Sequence, residues 1–363
     1  MEEGFYQVAE GSMPSFTCPN NMSIVTGSEP EVHGISGNFY LDRETGEPVV
    51  MTGPELLRSR SIMSQFSRQG AKVVSITAKD KLRKQLQKEM DLSGGSVSFS
   101  SQHADQCTME ENGIENVLEF VGQPLPDMYS AQLSLFVLDA GIKLLEERRP
   151  DILYLSLTDF IQHAHAPGSE EANQFYRDMD QRFGRLQQLG ALVALTADHG
   201  MGDKSAENGE PNVIWLQDVL DQQFGSGSSQ VICPITDAFV GHHGALGGFV
   251  RVYLEKDQDR LELASAIESL EGVERVWIKE EAAKDLEYKT PWRRFRNSKL
   301  TNGLQYVCEQ HSTIAKMRQM RSTLALEEER QRKALQEAKR EAKGSIAGAT
   351  SGIGAIIGAV SSI

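Results

Sequence analysis

Twice between Ser130 and Thr196 an amphipathic stretch of helical period runs directly into a short apolar segment, the rhythm of helices packed on a sheet. In the first unit Leu133, Phe136, Val137, Ala140, Leu144 and Leu145 share one face of a helix over Ser130 to Arg149. After Pro150 the run Ile152 to Leu157 reads as a buried strand. The second unit spaces Phe175, Met179, Phe183 and Leu186 along Glu170 to Leu189, stops at Gly190 and continues into Leu192 to Thr196. Earlier, Ser61 to Arg68 leads through Gly70 into a third strand, Val73 to Thr77. Strands joined by helical crossovers run parallel, so the fold class is α/β, a mostly parallel sheet flanked by helices.

With 363 residues the chain has room for one large or two modest domains. The α/β core is expected over 1–215 and a small α+β cap over 216–288. In the cap, a strand Phe249 to Leu254, a helix Arg260 to Leu270 and a strand Val273 to Ile278 form a β-α-β unit. Residues 289–311 read as a linker, and 312–343, rich in Lys, Arg, Glu, Gln, Ala and Leu, as one exposed charged helix. The stretch 344–363 carries no charge and places Gly344, Gly348 and Gly352 at four-residue spacing, a pattern shared with paired membrane helices. Ser, Thr and Gly dilute its hydrophobicity below that of a span, so it reads as a flexible Gly-rich tail.

Composition removes several function classes. Lys plus Arg number 37 against 51 Asp plus Glu, and a net charge of -14 repels nucleic acid. Four widely separated cysteines, Cys18, Cys107, Cys233 and Cys308, write neither a disulfide framework nor a zinc ribbon. The acidic start, Met1 to Gly4, lacks the basic and apolar segments of a secretory leader, so the expected compartment is the cytoplasm, with no membrane partner and a homodimer left open.

Ligands of α/β sheets gather beyond the carboxyl ends of the strands, which makes the polar residues that follow each apolar run informative. After Ile152 to Leu157 come Asp159 and His163, an i, i+4 pair on one face of a helix. After Leu192 to Thr196 come Asp198 and His199, followed by Gly200. After Val73 to Thr77 come Lys79 and Lys81, whose spacing puts two ammonium groups on one side of an extended segment, suited to an anion. One Asp-His pair alone is more often a hydrogen-bonded turn than a metal site. Two pairs past two strands of one sheet suit zinc, manganese or iron, and two neighbouring cations are an apparatus for phosphoryl displacement. Upstream, Pro14 to Asn21 is a proline-punctuated turn entering a helix, where Thr17 is either an N-cap or a nucleophile near an anion-attracting helix end.

These residues resemble the alkaline phosphatase superfamily in its nucleotide pyrophosphatase/phosphodiesterase-like branch, and within it the phosphonoacetate-hydrolysing members, over about residues 1–288. The match rests on Met13 to Gly27, His33 to Asn38, Thr77 to Lys81, Thr158 to His165 and Ala197 to Met201. The resemblance implies an alkaline phosphatase-like fold, Thr17 as nucleophile and Asn38 as the amide that binds a phosphoryl oxygen. It further implies two zinc ions or other divalent metals, one on Thr17, Asp198 and His199 and the other on Asp159 and His163. Lys79 and Lys81 match a pair that grips a small anionic phosphonate, so the implied reaction cleaves phosphonoacetate to acetate and phosphate.

Two ligands that the resemblance implies find no match: an aspartate ending a strand upstream of the nucleophile, and a histidine in a Ser-His-Gly-Gly-like segment near the carboxyl end. The chain reads as truncated at both ends, and His243, which precedes Gly244, reads either as a substitute ligand or, more in keeping with its place before the β-α-β unit, as a cap residue at the pocket rim. Fewer than two zinc equivalents are then expected. Two other readings stay open: a nucleotide phosphodiesterase, for which Phe39 and Tyr40 would form the aromatic clamp, and a catalytically impaired homologue that acts as a binding protein.

Overall fold

The computed structural model describes Tyr6, residues 11–42, 44–51, 53–203, 205–235, 247–255, 259–279 and 281–282, and the backbone of 303–307 and 355–360. In chain order come α1 (Thr17–Thr26), α2 (Pro30–His33), a short hairpin of β1 (Phe39–Leu41) and β2 (Pro48–Val50), α3 (Ile62–Ser67), β3 (Val73–Thr77), α4 (Asp80–Gln87) and β4 (Val97–Ser100). A 3-10 turn (Ser101–Gln106), α5 (Met109–Asn112) and α6 (Val117–Val121) lead to α7 (Ala131–Arg148), β5 (Ile152–Ser156), α8 (Phe160–Ala164), α9 (Glu170–Gln188) and β6 (Leu192–Ala197). Beyond these lie α10 (Leu216–Phe224), β7 (Ser229–Ile232), β8 (Phe249–Leu254), α11 (Arg260–Glu268), β9 (Arg275–Ile278), β10 (Gly303–Val307) and β11 (Ala355–Val360).

The larger sheet is parallel, in the order β4-β3-β5-β11-β6. Every residue of β3 and β5 is buried, because helices cover both faces. On one side Phe136, Leu144, Phe175 and Met179 of α7 and α9 pack on Ile76, Phe99 and Leu155. On the other, Met22, Met63, Leu82 and Leu86 of α1, α3 and α4 pack on Val73, Ile152 and Tyr154. A strand buried on both faces needs an unbroken apolar run, which explains why these segments carry no alternation. β6 is more open: Leu192 is 71% and Leu195 52% exposed.

α7 lies close against β5 through Gly141, where an added Cβ would meet Leu155 Cδ1 at 2.7 Å and Cδ2 at 2.9 Å. Gly141→Val is therefore expected to destabilise the protein by about 1–3 kcal/mol, the usual cost of overpacking a core. A lower urea midpoint at unchanged m would show it; parental stability would mean that the α7–β5 contact has slack.

The second sheet is antiparallel, in the order β7-β8-β10-β9, with Leu216, Leu220, Leu263 and Ile267 of α10 and α11 packed on Val252. The expected β-α-β unit is present, but β8 and β9 are not neighbours. β10, from the stretch read as a linker, lies between them and pairs with both. Leu304, Tyr306 and Val307 favour a strand, whereas the surrounding basic residues dominated the composition of 289–311.

The tail departs further from expectation. Ala355 to Val360 is not a flexible Gly-rich end but β11, seated between β5 and β6, with Ala355 opposite both Ile152 and Leu192. Two isoleucines and a valine in six residues make the short apolar run of an interior strand, and its glycines masked that signal. The candidate helix over 312–343 lies outside the described residues. Among those described, no helix is long and apolar enough to cross a membrane.

Candidate active site at the carboxyl edge of the parallel sheet

α1 begins where the chain turns at Phe16, whose backbone is extended (φ -130°, ψ 163°) and whose side chain makes no cap. Thr17 is thus the first helical residue rather than the N-cap, and its hydroxyl is left for other work. That hydroxyl lies 3.2 Å from His199 Nε2, across 182 residues of sequence. Phe16 itself packs edge-on to Phe249 of the second sheet, with ring centroids 6.1 Å apart, so this sheet buttresses the residue before Thr17. Asn38 is buried beside the start of α1: its Oδ1 accepts the Cys18 N–H at 3.4 Å, and its own N–H donates to Pro234 O at 2.8 Å.

His199 and Asp198 follow β6 at its carboxyl end, and Asp198 is only 2% exposed. Its Oδ2 accepts from Asn21 Nδ2 at 3.2 Å and lies 3.8 Å from His199 Nε2. Asp159 and His163 follow β5. Asp159 occupies the N-cap position of α8 without capping it through its side chain, and His163 Nε2 comes within 2.9 Å of Asp159 Oδ2, the i, i+4 geometry that the spacing predicts. Burial opposes ionisation of Asp159, but the hydrogen bond and charge of His163 outweigh it, aided by His199 and Lys79. The carboxyl is held far below the usual carboxylate range.

Those couplings put Asp159, His163, His199 and Lys79 in one electrostatic neighbourhood. Lys79 and Lys81 do not share the face of an extended segment. α4 starts at Asp80, so Lys79 is its N-cap position and Lys81 sits in its first turn, both half-buried. Asp80 favours helix initiation there, since an acidic first turn complements the helix dipole. His243 lies outside the described residues. Tyr40 packs against the α1 core cluster, which leaves Phe39, half-buried, from the proposed aromatic clamp.

Carboxylate and imidazole are the right donors for zinc, manganese or iron. The described donors gather as two pairs, with Thr17 beside one of them, and among the described residues no three His, Cys, Asp or Glu side chains converge on one point. Each pair thus offers part of the three-ligand set that a catalytic zinc takes from protein. Asn21 and Tyr154 escaped the sequence reading. Asn21 is four residues beyond Thr17, on the same helix face, and Tyr154 lies inside an apolar run that reads as core.

The fold and sequence have counterparts among known proteins. The crystal structures of phosphonoacetate hydrolase from Sinorhizobium meliloti 1021, in complex with phosphonoformate or phosphonoacetate, superpose with a TM-score of 0.76 at 45% and 44% identity, covering 83% of this chain and 71% of theirs. An alkaline phosphatase, PafA, solved as a multiple mutant, shares the fold at a TM-score of 0.52 and 16% identity, over 82% of this chain and 77% of its own. An uncharacterized pyrophosphatase/phosphodiesterase of Schizosaccharomyces pombe is 25% identical over 222 residues, 58% of this chain; the chain spans 40% of that relative's length. The type I phosphodiesterase / nucleotide pyrophosphatase model matches residues 1–338. The fold is alkaline phosphatase-like, and the chain belongs to the type I phosphodiesterase / nucleotide pyrophosphatase family of phosphoryl-transfer hydrolases.

Proposed function

We propose that the chain hydrolyses the carbon–phosphorus bond of phosphonoacetate, with Thr17 as nucleophile. The observation that carries this reading is the Thr17 hydroxyl at 3.2 Å from His199, at the head of α1 and clear of any capping duty. The likeness at 45% identity to a phosphonoacetate hydrolase supports the substrate.

In this reading Thr17 Oγ1 attacks phosphorus, the O–P bond forms as the C–P bond breaks, and the departing carbanion spreads into its carboxylate as an enolate before protonation gives acetate. Water then hydrolyses the phosphothreonine to free phosphate. Asn38, whose Oδ1 is occupied by the Cys18 N–H, directs its NH2 to a non-bridging phosphoryl oxygen, and the amino end of α1 adds a positive field. Asp198, His199 and Thr17 would hold one divalent cation, and Asp159 and His163 a second. Bound there, such ions acidify the attacking hydroxyl and neutralise phosphoryl charge. Lys79 and Lys81 face the carboxylate end, where the leaving group gathers charge.

The test compares substrates in zinc-supplemented buffer. Lys79→Ala and Lys81→Ala are expected to lower kcat/KM for phosphonoacetate roughly 10- to 100-fold, somewhat below the ~10²–10³ lost with a fully buried transition-state donor, because both ammonium groups are half-buried. Hydrolysis of an aryl phosphate ester, whose leaving group carries no carboxylate, changes far less. Equal losses on both substrates would reduce the lysines to general anion attraction. Faster cleavage of a nucleotide phosphodiester than of phosphonoacetate would assign the chain to the nucleotide branch, and metal binding without turnover would mark a binding protein.

A further inference from the structure

A chain of three side chains from three elements ends at the candidate nucleophile. Tyr154, in the middle of β5 and fully buried, donates its hydroxyl to Asn21 Oδ1 at 2.6 Å. Asn21, on α1, uses the opposite end of its amide: Nδ2 donates to Asp198 Oδ2 at 3.2 Å and to the Thr17 backbone oxygen at 2.9 Å. We infer that Asn21 and Tyr154 are positioning residues, a lock that fixes Asp198, and with it His199, relative to Thr17.

The argument is one of hydrogen-bond polarity. An amide has one accepting and one donating end, and its two orientations fill the same space. Turned over, Asn21 would set its oxygen against a carboxylate and a carbonyl, two repulsive contacts in a site sealed from water. The Tyr154 hydroxyl selects the productive orientation, because it offers a proton only to an oxygen. Burial, and secondarily the Asp198 charge, push its pKa well above the usual phenol value, so it stays a donor at any working pH. Asp198 is itself buried, and a carboxylate withdrawn from water needs donors to stay charged. A neutral amide supplies one while leaving the negative charge available to a cation. The hydrogen bond to the Thr17 carbonyl ties the first turn of α1 to the same amide, so nucleophile and carboxylate are placed by one group.

This inference rests on the roles proposed above for Thr17 and Asp198, and the test separates the two. Tyr154→Phe keeps the ring and removes the proton donor; Asn21→Ala removes the amide. Thermal melts establish that each variant folds. Zinc affinity, by competition with a chromogenic chelator, is expected to fall about 10-fold in both, as for loss of an outer-shell partner. On phosphonoacetate kcat falls by a similar factor while KM stays within about twofold. In the metal-free protein, the His199 imidazole and Thr17 methyl NMR resonances shift in Tyr154→Phe, a readout that needs neither metal nor substrate. If the parent shows no zinc binding and no turnover but the resonances shift, the proposed function fails and the lock stands. Unchanged resonances in a folded Tyr154→Phe would overturn the lock, as would zinc affinity and kcat within twofold of the parent.

Discussion

Thr17→Ala is expected to lower phosphonoacetate turnover by at least ~10⁴-fold, the scale on which enzymes lose rate when the nucleophile is deleted. The fold should barely change, whereas zinc affinity should fall at least about 10-fold, because Thr17 is one of the three proposed ligands of its cation. Phe16, not Thr17, occupies the N-cap position, so no cap is lost, and replacing the first helical residue with alanine falls within about 0.5 kcal/mol, as for changes outside any special contact. The hydroxyl's recorded partner is His199 Nε2, and its loss removes no support from the core. Thr17→Ser, which keeps a hydroxyl at the same place, restores a measurable fraction of the rate. Acid-quenched parent enzyme should carry a phosphate on the peptide containing Thr17, and the alanine variant none. Turnover within tenfold of the parent in Thr17→Ala would remove this residue from the chemistry.

Acidification is expected to cost the fold about 3 kcal/mol between pH 6.5 and pH 4 through His33 alone. This imidazole is completely buried; its Nδ1 accepts the Ile35 N–H at 3.1 Å and its Nε2 faces Ser23 Oγ at 3.0 Å. Burial lowers its pKa to about 4, and the charge of Arg58 adds to the effect. A proton on Nδ1 would have to confront the Ile35 N–H. The unfolded chain takes up that proton near pH 6.5 and the folded one resists until about 4. In that window the unfolded state binds more protons, and stability falls as pH falls; above 6.5 the contribution is constant. Urea denaturation across this range reads the slope. His33→Gln should flatten it, and an NMR titration of the His33 ring placing its pKa at 6 or higher would refute the assignment. Since His33 joins α2 to α1 through Ser23, acid loosens the helix that carries Thr17.

Local signals made the parallel sheet legible. β3 was read residue for residue, and β5, β6, α7 and α9 to within a residue or two at their ends, because continuous apolar runs and helical stripes leave little choice. β4 was not read: Val97-Ser98-Phe99-Ser100 looks like a half-exposed alternation, yet all four residues are buried, Ser98 and Ser100 included. The Asp-His pairs could be read because strand ends in α/β folds are where ligands collect, a rule that needs no tertiary information. Asn21 and Tyr154 could not. Each looks ordinary in its own segment, and their meaning comes from a partner 133 residues away.

The place of β11 bears on how the protein is made. β5 and β6 are complete by residue 197, but the strand that sits between them begins at Ala355. At about 5–20 residues per second, roughly 10–30 s of synthesis separates the flanking strands from the one that joins them. Throughout that interval the nascent chain exposes two unsatisfied parallel edges, a template for pairing with other chains. Asp159 and His163 on one side of the gap, and Asp198 and His199 on the other, come into final register only when residues 355–360 have left the ribosome. The sheet therefore closes from its middle and late.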